Sequence, residues 1–201
     1  MNTMISRRHL LAASAALLLP SLGGRAMASS AAENYIEGIG SEILRLANAG
    51  SRGVPLRNKF AGLLGKYVDL RVITLASLGP YRNKLPAAEK SKLQDLVTLY
   101  ASALFAWYVD DFKGQKFSID RSAMQGKFIV VYSKIEKGGV RADEPIVWYL
   151  QQSGSRFNIV DMSVLGVRLS IAMRDRFQKE LKKSKGDFEQ LYAVLREAET
   201  W

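Results

Sequence analysis

The chain carries one histidine, His9, and no cysteine. No thiolate can therefore act as nucleophile, metal ligand or disulfide partner. His9 lies in an amino-terminal stretch that reads as an export signal, so imidazole chemistry leaves with that stretch. His general bases, His–metal sites, Ser–His–Asp triads and Cys–His pairs are excluded together from residues 29–201. Carboxylates remain. Asp110 and Asp111 are adjacent, and neighbouring side chains in a helix or loop point apart, which makes a poor acid–base pair. The residual enzyme reading is an envelope hydrolase using Asp110 or Asp161 with Glu136. No GxGxxG, P-loop, HExxH, EF-hand loop or GxSxG occurs. The expectation is a protein that is not an enzyme and needs no cofactor or metal.

The export signal rests on Arg7 and Arg8, the apolar run Leu10 to Leu19 broken only by Ser14, and the small-x-small site Ala26-Met27-Ala28. The run is shorter than the ~20 residues of a membrane span. Ser6-Arg7-Arg8-His9-Leu10-Leu11 resembles a twin-arginine signal; an ordinary secretory signal is the alternative. The expected organisation is a cleaved signal over 1–28 and one domain over 29–201, with a periplasmic destination. Formal net charge is +10 for the whole chain. Without Arg7, Arg8 and Arg25, 26 basic groups still face 19 acidic ones. Export argues against nucleic acid as the partner of that charge. Lys179, Lys182, Lys183 and Lys185 cluster as a solvated helix face or as a contact for anionic head groups or an acidic partner.

The elements that would position a site follow from periodicity. Ile36, Ile39, Ile43 and Leu46 predict a helix over about 35–48, after a loose leader at 29–34. Leu56, Phe60, Leu63 and Leu64 predict a second over about 56–66. Asp69 is placed to cap a short helix carrying Val72, Ile73, Leu75 and Ala76. Pro86 and Glu89 open a long helix, about 86–109, with a wide apolar face. The period then falls to two. Phe117 and Ile119, Phe128 to Ile135, Pro145 to Gln152 and Arg156 to Met162 predict four strands, with turns at Lys137-Gly138-Gly139 and Ser153-Gly154-Ser155. Connections this short make an antiparallel meander. Helix returns through Leu169, Met173, Phe177 and Leu181, and again from Phe188 to Leu195. The fold class is α+β: a helical N-terminal half, an about four-stranded antiparallel meander sheet and a helical C-terminal tail. The second and third strands are apolar on both faces, so one face meets helices and the other must be covered too.

Several motifs recur in a familiar order: Tyr67-Val68-Asp69, Leu78-Gly79 with Tyr81-Arg82, Pro86 to Glu89, Leu99-Tyr100-Ala101, then Phe157 to Asp161, Gly166-Val167-Arg168-Leu169, and Arg174 with Phe177. Over about 35–197 the chain resembles the MlaC family, the toluene-tolerance or ABC-transporter auxiliary proteins. It departs from the family pattern at Leu165, Arg168 and Met173. The resemblance implies a soluble periplasmic carrier that encloses acyl chains in an apolar cavity between sheet and helices. It implies shuttling of phospholipid between an outer-membrane lipoprotein complex and an inner-membrane ABC transporter with an MCE subunit, as a monomer. A hopanoid or other polycyclic lipid is the alternative cargo, and a non-lipid adaptor the alternative role.

On that reading the lining is Val72, Leu75, Leu96, Tyr100, Leu104, Ile129, Val131, Trp148, Leu150, Val167 and Leu169. Strand parity alone leaves Ile129 with Val131 and Phe128 with Val130 as equal choices. Ala76, Ala101, Ala103 and Ala106 would leave room for a guest. Arg82, Arg168 and Arg174 are expected at the mouth or a docking surface; a bridge to Asp161 or Asp69 is the alternative for Arg174.

Overall fold

A computed structural model describes residues 22–137, 140–141, 145–164 and 166–201. Most of the expected signal, the Gly138-Gly139 turn and Leu165 lie outside the described residues. Helix α1 runs from Leu22 to Asn48, so the leader expected at 29–34 is helical instead. Alanine is the strongest helix former, and Ala28, Ala31 and Ala32 leave nothing there to break the helix. Ala32 and Ile36 are fully buried, which anchors this segment by packing as well. Helix α2 spans Gly53–Tyr67 and α3 spans Leu70–Ser77. Asp69 caps α3 as expected, its carboxylate accepting from the Val72 amide at 3.2 Å. A 3-10 turn at Gly79–Lys84 and another at Ala87–Glu89 lead into α4, Lys90–Trp107, and the single turn α5, Val109–Phe112.

The sheet follows as β1 (Gln115–Gln125), β2 (Phe128–Lys137), β3 (Val140–Arg141), β4 (Ile146–Ser153), β5 (Arg156–Val164) and β6 (Val167–Arg168). Its order is β1-β2-β4-β5-β6, with β3 paired to β2, and every pairing is antiparallel. The four long strands are those the alternation predicts; the two-residue strands are additions. Bulges interrupt β1 at Asp120 and β5 at Val160. Helices α6 (Leu169–Lys183) and α7 (Phe188–Arg196) and a last 3-10 turn close the chain.

Helix α1 packs on one face of the sheet. Ile129, Val131, Trp148, Leu150 and Ile159 face Ala32, Ile36 and Ile39 of α1 in one buried cluster. The opposite face carries Val130, Tyr132 and Tyr149, and the chain's own arginines lie over its two tyrosine rings. The Arg121 guanidinium lies 3.8 Å from the Tyr132 ring centre and that of Arg168 lies 4.2 Å from Tyr149. Such stacking shields the rings from water.

The apolar interior is divided. A helical core joins α3, α4, α6 and α7; a second joins the sheet to α1; a third joins α1, α2 and α5 through Leu46, Leu56, Phe60 and Val109. Val68 packs against the first two, Ile43 against the last two, and Phe105 against the first and third. Gly40 lets α1 approach the sheet closely: a Cβ there would lie 2.7 Å from Cγ of Phe117. Gly38 has nothing within 4 Å of its Cβ position. Gly40→Ala is therefore expected to destabilise by about 1–3 kcal/mol through overpacking. Gly38→Ala is expected to stabilise by up to about 1 kcal/mol through helix propensity. Urea denaturation of the two variants checks the opposite signs.

Candidate functional site

Two spaces lie where the cores meet. The first is an apolar seam between Gly40, Ile43 and Leu44 of α1, Phe105 and Phe112 of the α4–α5 corner, and Phe117, Ile146, Trp148 and Met162 of the sheet. Its volume is about 30 Å³. One water needs roughly 10–15 Å³ by the same measure, so the seam is closed to anything lipid-sized. An open cavity of the kind the resemblance implies is not seen among the described residues. The second space is a polar cleft of about 240 Å³, lined by Gly65 and Lys66 at the end of α2, Val68, Asp69 and Leu70 at the start of α3, Gln94 and Thr98 of α4, and Asn158 of β5.

The sheet's inner wall connects them. Val68 bridges to Ile159 beside the cleft, and the Asp69 amide donates to the Ile159 carbonyl at 2.9 Å. Ile159 pairs with Leu150; Trp148 and Ile146 follow inward along β4 to the seam. Leu150 to Ile146 is four residues, about 13 Å of strand. The one polar group in this wall is satisfied: the Trp148 indole donates to Ser133 Oγ at 2.8 Å, and that hydroxyl donates to the Ile146 carbonyl at 3.2 Å.

The predicted lining residues separate into three sets. Ile129, Val131, Trp148 and Leu150 come together on this inner wall. Leu75, Leu96, Tyr100, Leu104 and Leu169 belong to the helical core instead, as do Ala101 and Ala103. Val72 and Val167 are surface residues, 40% and 57% exposed. Among the expected docking arginines, Arg82 is exposed in the 3-10 turn and Arg174 is exposed beside Asp175 at 3.3 Å. The bridge from Arg174 to Asp161 or Asp69 is thus replaced by a contact with its neighbour.

Asp161 has a different partner. Its carboxylate is 6% exposed and accepts from Arg168 Nη2 at 2.7 Å and Nε at 2.9 Å, the Ser170 hydroxyl at 2.6 Å and amide at 3.1 Å, and the Met162 amide at 2.9 Å. Both oxygens are occupied by donors that tie β5 to β6 and to the first turn of α6. A carboxylate so satisfied has no lone pair to offer a substrate, and Asp110 is an exposed partner of Arg52. Neither is arranged for hydrolysis. The cleft residues were not foreseen from the sequence. They come from four separate elements, and only Asp69 carried a local signal, as a helix cap.

A sheet of this topology, backed by one long helix and joined to a helical bundle, is shared with a phospholipid-binding protein from Ralstonia solanacearum solved in complex with a phospholipid. The two match with a TM-score of 0.67 at 17% identity, over 84% of this chain and 97% of the other. The family model described as MlaC protein matches residues 42–197, and the chain belongs to the MlaC family. No curated protein matches it. Among the described residues no helix is long and apolar enough to cross a membrane.

The Asp161 cluster predicts an ordered pair of losses. Asp161→Ala strands buried donors and is expected to cost about 3 kcal/mol. Arg168→Ala leaves the carboxylate its Ser170 and Met162 donors and is expected to cost about half as much. Denaturation midpoints that reverse this order would show that Asp161 is not the anchor.

Proposed function

We propose that this chain is a periplasmic lipid carrier that takes up a phospholipid along the inner wall of its sheet. Family membership and the phospholipid bound by its structural neighbour support the reading. The observation that carries it is the continuous apolar wall from Val68 through Leu150, Trp148 and Ile146, running from a polar cleft to a closed apolar seam. Each methylene removed from water there contributes about 0.8 kcal/mol, enough over one acyl chain to offset parting the seam. Ile129, Val131, Trp148 and Leu150 would line the tail, with α1 moving away from them. The partners would be an inner-membrane ABC transporter complex with an MCE subunit and an outer-membrane lipoprotein complex. The surfaces for them would include Arg82, Arg168 and Arg174, and the Lys179–Lys185 cluster at the end of α6.

The closed seam favours a second reading, an adaptor that binds no lipid. Native mass spectrometry of gently purified protein separates the two. The carrier is expected to hold about one phospholipid per chain; apo protein from every preparation would favour the adaptor.

The chain has no cysteine, so a Gly40→Cys, Phe117→Cys pair can fasten α1 to β1 without competing thiols. When oxidised, this variant is expected to lose lipid uptake from vesicles, and to regain it with reductant. Equal uptake in both states would mean that the tail enters elsewhere.

A further inference from the structure

The cleft beside Val68 holds one side chain of each charge. Lys66 and Asp69, one turn apart, sit on opposite sides of the α2–α3 junction, with the amides of Gln94 and Asn158 on the facing elements. Both charges are engaged at the surface and not in the interior; the Lys66 side chain is 62% exposed. The Lys66 ammonium lies over the Tyr67 ring, 4.5 Å from its centre, and 3.8 Å from a Glu42 oxygen that already accepts from the Tyr67 hydroxyl at 2.8 Å. On Asp69, Oδ1 is held by the Val72 amide, while Oδ2 has only the Arg71 guanidinium at 3.8 Å. Contacts that long are weak in water, so both groups can exchange partners. The cleft floor is Val68 and Leu70, and Val68 opens directly onto the apolar inner wall.

From this juxtaposition we infer that the cleft is a head-group site for a zwitterionic phospholipid, its phosphodiester on Lys66 and its ammonium on Asp69. This rests on the carrier reading and adds a preference to it. A purely anionic head group would satisfy Lys66 but confront Asp69. A zwitterionic one complements both, and the amides of Gln94 and Asn158 can donate to phosphate oxygens.

Uptake from vesicles containing equal phosphatidylethanolamine and phosphatidylglycerol, read by mass spectrometry of the extracted lipid, tests the assignment. Wild type is expected to favour phosphatidylethanolamine about two- to fivefold, the range that one exposed ion pair supplies. Asp69→Asn keeps the helix cap, because asparagine caps as well as aspartate, yet removes the charge. It is expected to bring the ratio to near one with thermal stability unchanged. Lys66→Gln is expected to lower the retention of both lipids together. Excess inorganic phosphate is expected to leave the ratio unaltered. Equal uptake of both lipids by wild type, or an unmoved ratio in Asp69→Asn, would overturn the assignment while leaving the carrier intact. Displacement of lipid by phosphate would give the cleft to the free anion. Protein that takes up neither lipid would overturn the carrier reading itself.

Discussion

A single helix covers the inner wall of the sheet, and the rest of the architecture answers to that. Ile129, Val131, Trp148, Leu150 and Ile159 form an apolar surface that water cannot be left to cover, and α1 lies over it. The helices from α2 onward pack chiefly on one another and reach the wall at its margins, through Tyr67, Phe105 and Phe112. The sheet and the helical cores meet through Val68 and Ile43, and through the bonds that Asp161 of β5 makes to the first turn of α6. Interiors packed as one jigsaw resist a new guest, because every void forfeits contacts on all sides. An interior made of separate packed units can yield at its joints while each unit keeps its own contacts.

The polar groups sort along the same division. Asp161, with Arg168 and Ser170, fixes β5, β6 and α6 through charge-assisted bonds in a nearly buried setting, where such bonds are strongest. The cover helix is attached to β1 by Glu33 and Ser29, which meet Ser122 through partly buried hydrogen bonds, and by Gly40, which rests against the Phe117 ring.

Much of this was legible in the residues. Period-two alternation located all four long strands, and Asp69 announced its helix. Other features had no local signature. The helical leader at 29–34 was missed because its one buried apolar contact, Ala32, looks like any alanine until the sheet folds beneath it. The predicted lining mixed two cores, since Leu96 and Trp148 are equally apolar and only the tertiary fold assigns one to a bundle and the other to a wall. The bond from Arg168 to Asp161 spans seven positions across a turn, a pairing that spacing alone does not rank above others. The cleft draws its residues from positions 65 to 158, beyond the reach of any pattern window.

The kink at Asp120 carries a consequence of a different kind. Strand β1 is eleven residues long and closes one side of the sheet, with no further strand beside it among the described residues. A flat border of that length would invite a second molecule to add its own strand and so start a polymer. The bulge twists the border out of line at mid-strand, and Lys116 and Arg121 on either side set like charge against like charge in any such encounter. One extra residue in the strand thus guards the border against such addition.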